Sequence, residues 1–190
     1  MEFEFRHIPK TAGSSIEKAL KNAGVNVGIN AERSGRCQWH ETARVNPNAQ
    51  TWCVVREPLE RFVSEHKWQS DTTRHGSMWN GFRECTVNAL NDHVRQAYEM
   101  KLHQTSEGHC HYKPQSEYDC DIKLYFATIN TDFPKFAHDM LGLENMTLDE
   151  RVNDMTNKCK LTVDDLTEDS KSKLREIYAE DVKMYDKMRG

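Results

Sequence analysis

Apolar and polar residues alternate at the start of the chain, where Phe3 and Phe5 flank Glu4, and that period of two predicts a short strand. Pro9 and a run of small and polar residues (Lys10, Thr11, Ala12, Gly13, Ser14, Ser15) interrupt it. Ile16, Ala19 and Leu20 then recur at the i, i+3, i+4 spacing of a helix face. Glycines and asparagines among short apolar positions at 24–35 read as a short strand near 25–29 followed by a loop. Residues 51–55 (TWCVV) are β-branched, aromatic and uncharged, as a central parallel strand buried on both faces requires. Pro58 opens a helix with Leu59, Phe62 and Val63 on one side, which fits the preference of proline for the first helical position.

Further along, 69–78 is polar and reads as a loop, and 87–102 carries Leu90, Val94, Ala97 and Tyr98 on a core-facing helix stripe. Residues 122–129 (IKLYFATI) predict a strand, and 132–141 a short helix stopped by Gly142. The stretch 146–161 is polar and loop-like. A last helix is expected over 167–188, its stripe formed by Leu174, Ile177, Tyr178, Val182 and Tyr185, with acids in its first turn. Strands alternating with helices predict a three-layer α/β domain with a small, mainly parallel sheet flanked by helices and a phosphate-binding loop after the first strand.

Length and composition narrow this picture. A chain of 190 residues suits one domain, 1–190, burying about 70% of its unfolded surface. With 37% hydrophobic and 29% charged residues it should fold, and no low-complexity linker or repeat divides it. A net charge of −4 supplies no global field for nucleic acid or anionic lipid, so any anion site must be local. No run approaches the length of a membrane span, and the N-terminus lacks the regions of a signal peptide, so a soluble, cytoplasmic chain is expected. In that setting the six cysteines, none in a CxxC pair, should be mostly reduced. His109, Cys110, His111 and Cys120 lie close in sequence but fit no standard zinc spacing, and no metal is expected.

The chemistry concentrates where the first strand meets the first helix. A loop of small residues can turn backbone N–H groups inward, the helix adds its positive end, and Lys10 adds a full charge, with Thr11, Ser14 and Ser15 as hydroxyl donors. An ordinary strand-to-helix turn with a serine N-cap is the plainer reading. The phosphate-loop pattern GxxxxGK[ST] does not fit, because here the lysine precedes Gly13 by three residues. The order Pro-Lys-Thr-small-Gly-Ser-Ser resembles instead the 5′-phosphosulfate loop of sulfotransferases that use PAPS (3′-phosphoadenosine 5′-phosphosulfate), closest to carbohydrate sulfotransferases of the heparan 2-O type and their bacterial relatives.

A second segment, VVREPLERFVSEHKW, resembles the 3′-phosphate motif of the same family. There an arginine at a strand end and a serine eight residues later bind the 3′-phosphate, and Arg56 and Ser64 fill both positions, where they could otherwise be a surface cation and a tolerated helix residue. The resemblance further implies that His40, sixteen residues before Arg56, is the base toward the acceptor hydroxyl; taken alone, a histidine between Trp39 and Glu41 reads as structural. The His-x-x-Pro-Gln loop (111–115) resembles one that recurs in carbohydrate sulfotransferases, where His111 and Gln115 would touch the acceptor or order the site; a purely structural role is the other reading. Many members of the family it resembles place an acid around the end of the 122–129 strand, whereas Ile129, Asn130 and Thr131 stand here, so any role of that acid has no counterpart at these positions. The activity that the resemblance implies is sulfuryl transfer from PAPS to an acceptor hydroxyl, by family likeness a carbohydrate one, with release of PAP. Two alternatives are a PAP- or PAPS-binding module without catalysis and a P-loop-like kinase, which should show a lysine after the last loop glycine and a magnesium-binding aspartate. Nothing in the sequence fixes the oligomeric state.

Overall fold

The computed structural model describes residues 2–25, 40, 46–71, 84–104, 109–148 and 158–190. The strand expected near 25–29, most of the 69–78 loop, the neighbours of His40 and the centre of the 146–161 loop lie outside the described residues. The chain divides into two compact units, each made of two stretches: 1–56 with 115–152, and 57–114 with 153–190.

The first unit holds a parallel sheet of three strands, β1 (Phe3–Arg6), β2 (Gln50–Val55) and β3 (Ile122–Tyr125), in the order β1-β2-β3. Pairing sets Phe5 beside Trp52, and Val54 beside Leu124. The period of two therefore gathers Phe3, Phe5, Trp52, Val54, Ile122 and Leu124 on one face. Two helices cover that face, α1 (Gly13–Asn22) through Ile16 and Leu20, and α4 (Ile129–Leu141) through Ile129, Phe133 and Phe136. β2 is buried from Thr51 to Val55, as its uncharged sequence demands. Asp121 accepts from the Thr51 N–H at 2.8 Å and from its hydroxyl at 3.1 Å, which pins the start of β3 against β2.

In the second unit, α2 (Pro58–Gln69), α3 (Val87–Glu99), α5 (Glu168–Ile177) and α6 (Ala179–Arg189) are the helices. Leu59, Phe62 and Val63 meet Leu90, Val94 and Ala97, and Leu174 and Ile177 close the cluster. Caps fix the helix starts: the Glu57 carboxylate accepts from the Glu60 N–H, Thr86 from Ala89 and Thr167 from Ser170.

Three expectations need correction. β3 ends at Tyr125 and the chain passes through a 3₁₀ turn (Phe126–Thr128) into α4, which starts at Ile129 instead of residue 132. The last ladder pair is Val55 with Tyr125; beyond it β2 has turned toward Pro58, so Phe126 onward has no strand to pair with. The helix expected over 167–188 is two helices meeting at Tyr178, whose φ of −110° and ψ of 33° are not helical. The Tyr178 ring is buried, its hydroxyl donates to the Tyr112 carbonyl at 3.1 Å, and the Arg61 guanidinium lies 5.1 Å above the ring, so side-chain anchoring overrides helix continuity. Burial also pushes the Tyr178 hydroxyl well above the ordinary tyrosine range.

The cysteines are not mostly reduced. Cys53 bonds Cys120 within the first unit and Cys85 bonds Cys159 within the second, with Cα separations of 5.9 and 5.8 Å. Cys110 is also in a disulfide. Partners 67 and 74 residues apart become neighbours only through the fold, which no CxxC spacing could reveal. Cys110 and Cys120 thereby offer no thiolate to the cluster around His109 and His111.

Candidate active site

The loop between β1 and α1 is held in an uncommon backbone. Lys10 and Ala12 are not glycines, yet have φ of 67° and 71°. Such left-handed residues cost on the order of 1 to 3 kcal/mol each and persist where surrounding structure fixes them. Ile8 and Thr11 do the fixing: both are fully buried, and the Thr11 hydroxyl donates to the Ile8 carbonyl at 2.9 Å. Thr11 thus serves the loop through its hydroxyl, and can face an anion through its backbone N–H. Ala12 caps α1 without a side-chain hydrogen bond, and the first turn holds no acid. A helix start so composed favours an anion. Ser14 and Ser15 are half-buried in that turn.

Gly13 is required for a reason that composition does not reveal. A Cβ there would lie 2.2 Å from Cδ2 of His7, whose ring packs on the glycine. One turn on, Glu17 accepts from His7 Nδ1 at 2.6 Å.

His40 joins this group. Its Nδ1 donates to the His7 carbonyl at 3.0 Å, and the two rings meet edge to face with centroids 4.8 Å apart. A carbonyl can only accept, so in the neutral ring the proton sits on Nδ1 and the lone pair on Nε2. That is the tautomer a general base needs.

Arg56 follows β2 directly. Its Nη1 reaches the Lys10 carbonyl at 3.4 Å, and its guanidinium lies 4.3 Å from the centre of the Phe126 ring, within cation–π range. Gln115, fully buried, holds the Arg56 backbone from both sides: its Oε1 accepts from the Arg56 N–H at 2.9 Å and its Nε2 donates to the Arg56 carbonyl at 2.8 Å. Gln115 therefore holds the Arg56 backbone in place. The sequence carries no signal for this pairing across 59 residues.

Ser64 and His111 belong to the second unit. Ser64 is half-buried on α2. His111 Nδ1 donates to the buried Glu65 carboxylate at 2.7 Å, with the Trp68 ring 5.1 Å away, while Arg61 holds the carbonyls of His111 and Lys113 at 3.3 and 2.8 Å. From Glu65 a polar chain runs inward. Gln69 donates to Glu65 at 2.8 Å and to the Tyr112 hydroxyl at 2.9 Å, and Tyr112 meets His93 Nε2 at 2.7 Å. His93 and His66 join through their Nδ1 atoms at 3.2 Å, and His66 Nε2 ends the chain on the Glu84 carbonyl at 3.1 Å. The terminal carbonyl sets the direction of the whole chain: His66 donates to it, accepts from His93, and His93 accepts from Tyr112. The helix stripe of α3 predicted Leu90 and Val94 as core but not the fully buried His93 beside them.

A strained loop at a helix start thus lies beside an arginine and an oriented histidine, on a small parallel sheet flanked by helices. The model of the sulfotransferase family matches residues 2–187, and the chain belongs to that family. It is accordingly a transferase of sulfuryl groups. Neither the curated proteins nor the solved structures compared with it gave a match.

Proposed function

We infer that the chain moves the sulfuryl group of PAPS to a hydroxyl of a carbohydrate acceptor and releases PAP, and that 1–190 acts as one sulfotransferase domain. The observation that carries this reading is the β1–α1 loop, where Lys10 and Ala12 hold left-handed conformations at an uncapped helix start next to Arg56. PAPS supplies the activated sulfuryl group, and this donor set suits its phosphates: backbone N–H groups, hydroxyls and fixed cations, with no acid in the first turn. No metal is needed.

Lys10 and the N–H groups of Thr11, Ala12, Gly13 and Ser14, with the Ser15 hydroxyl, stabilise the charge that develops on the bridging oxygen as the S–O bond breaks; the Ser15 N–H is spent on the Ala12 carbonyl. His40 Nε2 takes the acceptor's hydroxyl proton, which frees the oxygen to bond to sulfur. Arg56 and Ser64 hold the 3′-phosphate and fix the donor's register, with Gln115 keeping Arg56 in place. His111, oriented by Glu65, is assigned to the acceptor. A PAP-binding module without catalysis would need no oriented His40, and its tautomer favours the enzyme. The disulfides support work in an oxidising compartment in place of the cytoplasmic setting expected from the sequence. Among the described residues no helix is long and apolar enough to cross a membrane.

Calorimetry with PAP tests the donor site. Lys10→Ala removes the fixed charge beside the transferring group and is expected to cost about 2 to 4 kcal/mol in kcat/KM, as loss of an oxyanion donor does. Near-normal activity in that variant would sink the loop assignment. Arg56→Ala should weaken PAP and PAPS by about 1.5 to 3 kcal/mol, the contribution of a hydrogen bond to a charged group, and leave adenosine 5′-phosphosulfate nearly unaffected. Equal losses for both nucleotides would mean that Arg56 does not read the 3′-phosphate.

A further inference from the structure

His7 precedes the loop and is not among the residues to which the donor or the acceptor has been assigned. It nevertheless joins the start of α1 to His40. The Ile8 N–H donates to the Arg6 carbonyl at 3.1 Å, a three-residue turn centred on His7. In such a turn the dihedral angles of the central residue decide where its carbonyl points. That carbonyl receives the His40 Nδ1–H. The side chain of His7 is held at two points of α1 one turn apart: the ring lies on Gly13, where no Cβ fits, and Nδ1 donates to Glu17. Both partners of that bond are mostly buried, with side chains 13% and 17% exposed, so water competes poorly for it.

We propose that His7 and Glu17 are positioning residues for the base: Glu17 locks the His7 ring against Gly13, the locked residue aims its carbonyl at His40, and that carbonyl keeps the His40 proton on Nδ1 and the lone pair on Nε2. The row Glu17–His7–His40 links α1 to the base, so the helix start that holds the donor also sets the direction of proton removal. Neither His7 nor Glu17 touches donor or acceptor. The inference rests on the reading of His40 as the base.

Its test reads the tautomer of His40 directly, by nitrogen-resolved NMR of the imidazoles in the whole chain, without any transfer chemistry. In the unaltered protein His40 is expected chiefly as the Nδ1–H form. Glu17→Ala and His7→Phe should shift it toward the Nε2–H form that free imidazole prefers in water, whereas Glu17→Gln, which keeps an oxygen to accept from His7, should restore most of the original state. Turnover of PAPS with a pool of desulfated glycosaminoglycan oligosaccharides should fall about 10- to 100-fold in Glu17→Ala, the loss seen when partners that orient metal-bound histidines are removed. KM for PAPS, PAP affinity and melting temperature should stay as they are. A folded Glu17→Ala protein whose His40 tautomer is unchanged overturns the proposal, even if His40→Ala is inactive and the base assignment stands. A full-rate His40→Ala enzyme removes the base assignment instead, whatever the spectra of the Glu17 variants show.

Discussion

His40→Ala is expected to bind PAP as tightly as the unaltered protein and to transfer sulfate about 10² to 10⁴ times more slowly, the usual loss on removing a general base. The separation arises because His40 is proposed to act on the acceptor hydroxyl, whereas the donor's phosphates are assigned to Lys10, the loop N–H groups, Arg56 and Ser64. The His40 ring is half-buried and not part of the apolar core, so its removal should cost less folding stability than removal of a core residue. A packing role would give a different pattern: a lowered melting temperature, with activity falling only in proportion to folded protein. Measuring PAP affinity, melting temperature and turnover on one preparation distinguishes the two. Intact turnover in a folded variant would take His40 out of the mechanism and direct attention to His111, whose Nδ1 is held by the Glu65 carboxylate.

Removing a disulfide should have an effect of similar size on stability. Cys53–Cys120 and Cys85–Cys159 close loops spanning 67 and 74 residues. For loops of that length the chain-entropy model gives about 4 kcal/mol per bond at 25 °C. Against a typical folding stability of about 5 to 15 kcal/mol, loss of both should leave the protein largely unfolded at moderate temperature. Urea unfolding of the Cys53→Ala, Cys120→Ala double variant should show a much lower midpoint than the unaltered protein, and reductant should lower the midpoint of the unaltered protein further than that of the variant. Equal midpoints with and without reductant would mean that the disulfides do not support the fold.

The parts of the fold visible in the sequence are those governed by neighbours in the chain. The change from alternation at Phe3 and Phe5 to helical spacing at Ile16 and Leu20 fixes β1, the loop and α1, because each period reflects one face meeting the core. β2 was legible as a buried central strand from its five uncharged residues, and Gly142 as the stop of α4, where it adopts φ of 68°. What could not be read depends on distant partners. β3 ends where β2 leaves the sheet, the last helix breaks where Tyr178 meets Tyr112 and Arg61, and the cysteines pair across about a third of the chain.

The site divides in the same way. Lys10, the small residues after it, and Arg56 stand out because strand ends followed by helix starts are where anions bind in such sheets. The need for glycine at position 13 comes from a histidine ring six residues earlier, and the role of Gln115 from an arginine 59 residues earlier. Neither contact leaves a trace in local pattern. His40 is singled out in the sequence only by its place between the two phosphate motifs, and its hydrogen bond to the His7 carbonyl is a tertiary one.

Transfer of a radiolabelled sulfuryl group from PAPS tests the account most directly. The protein is incubated with labelled PAPS and a library of soluble oligosaccharides, PAP is quantified, and acceptor mass gain is followed. The account predicts PAP release that depends on an acceptor, equals the label gained by that acceptor, and disappears in Lys10→Ala. Failure of the folded, disulfide-intact protein to bind PAP or PAPS, with no label transferred, would contradict it.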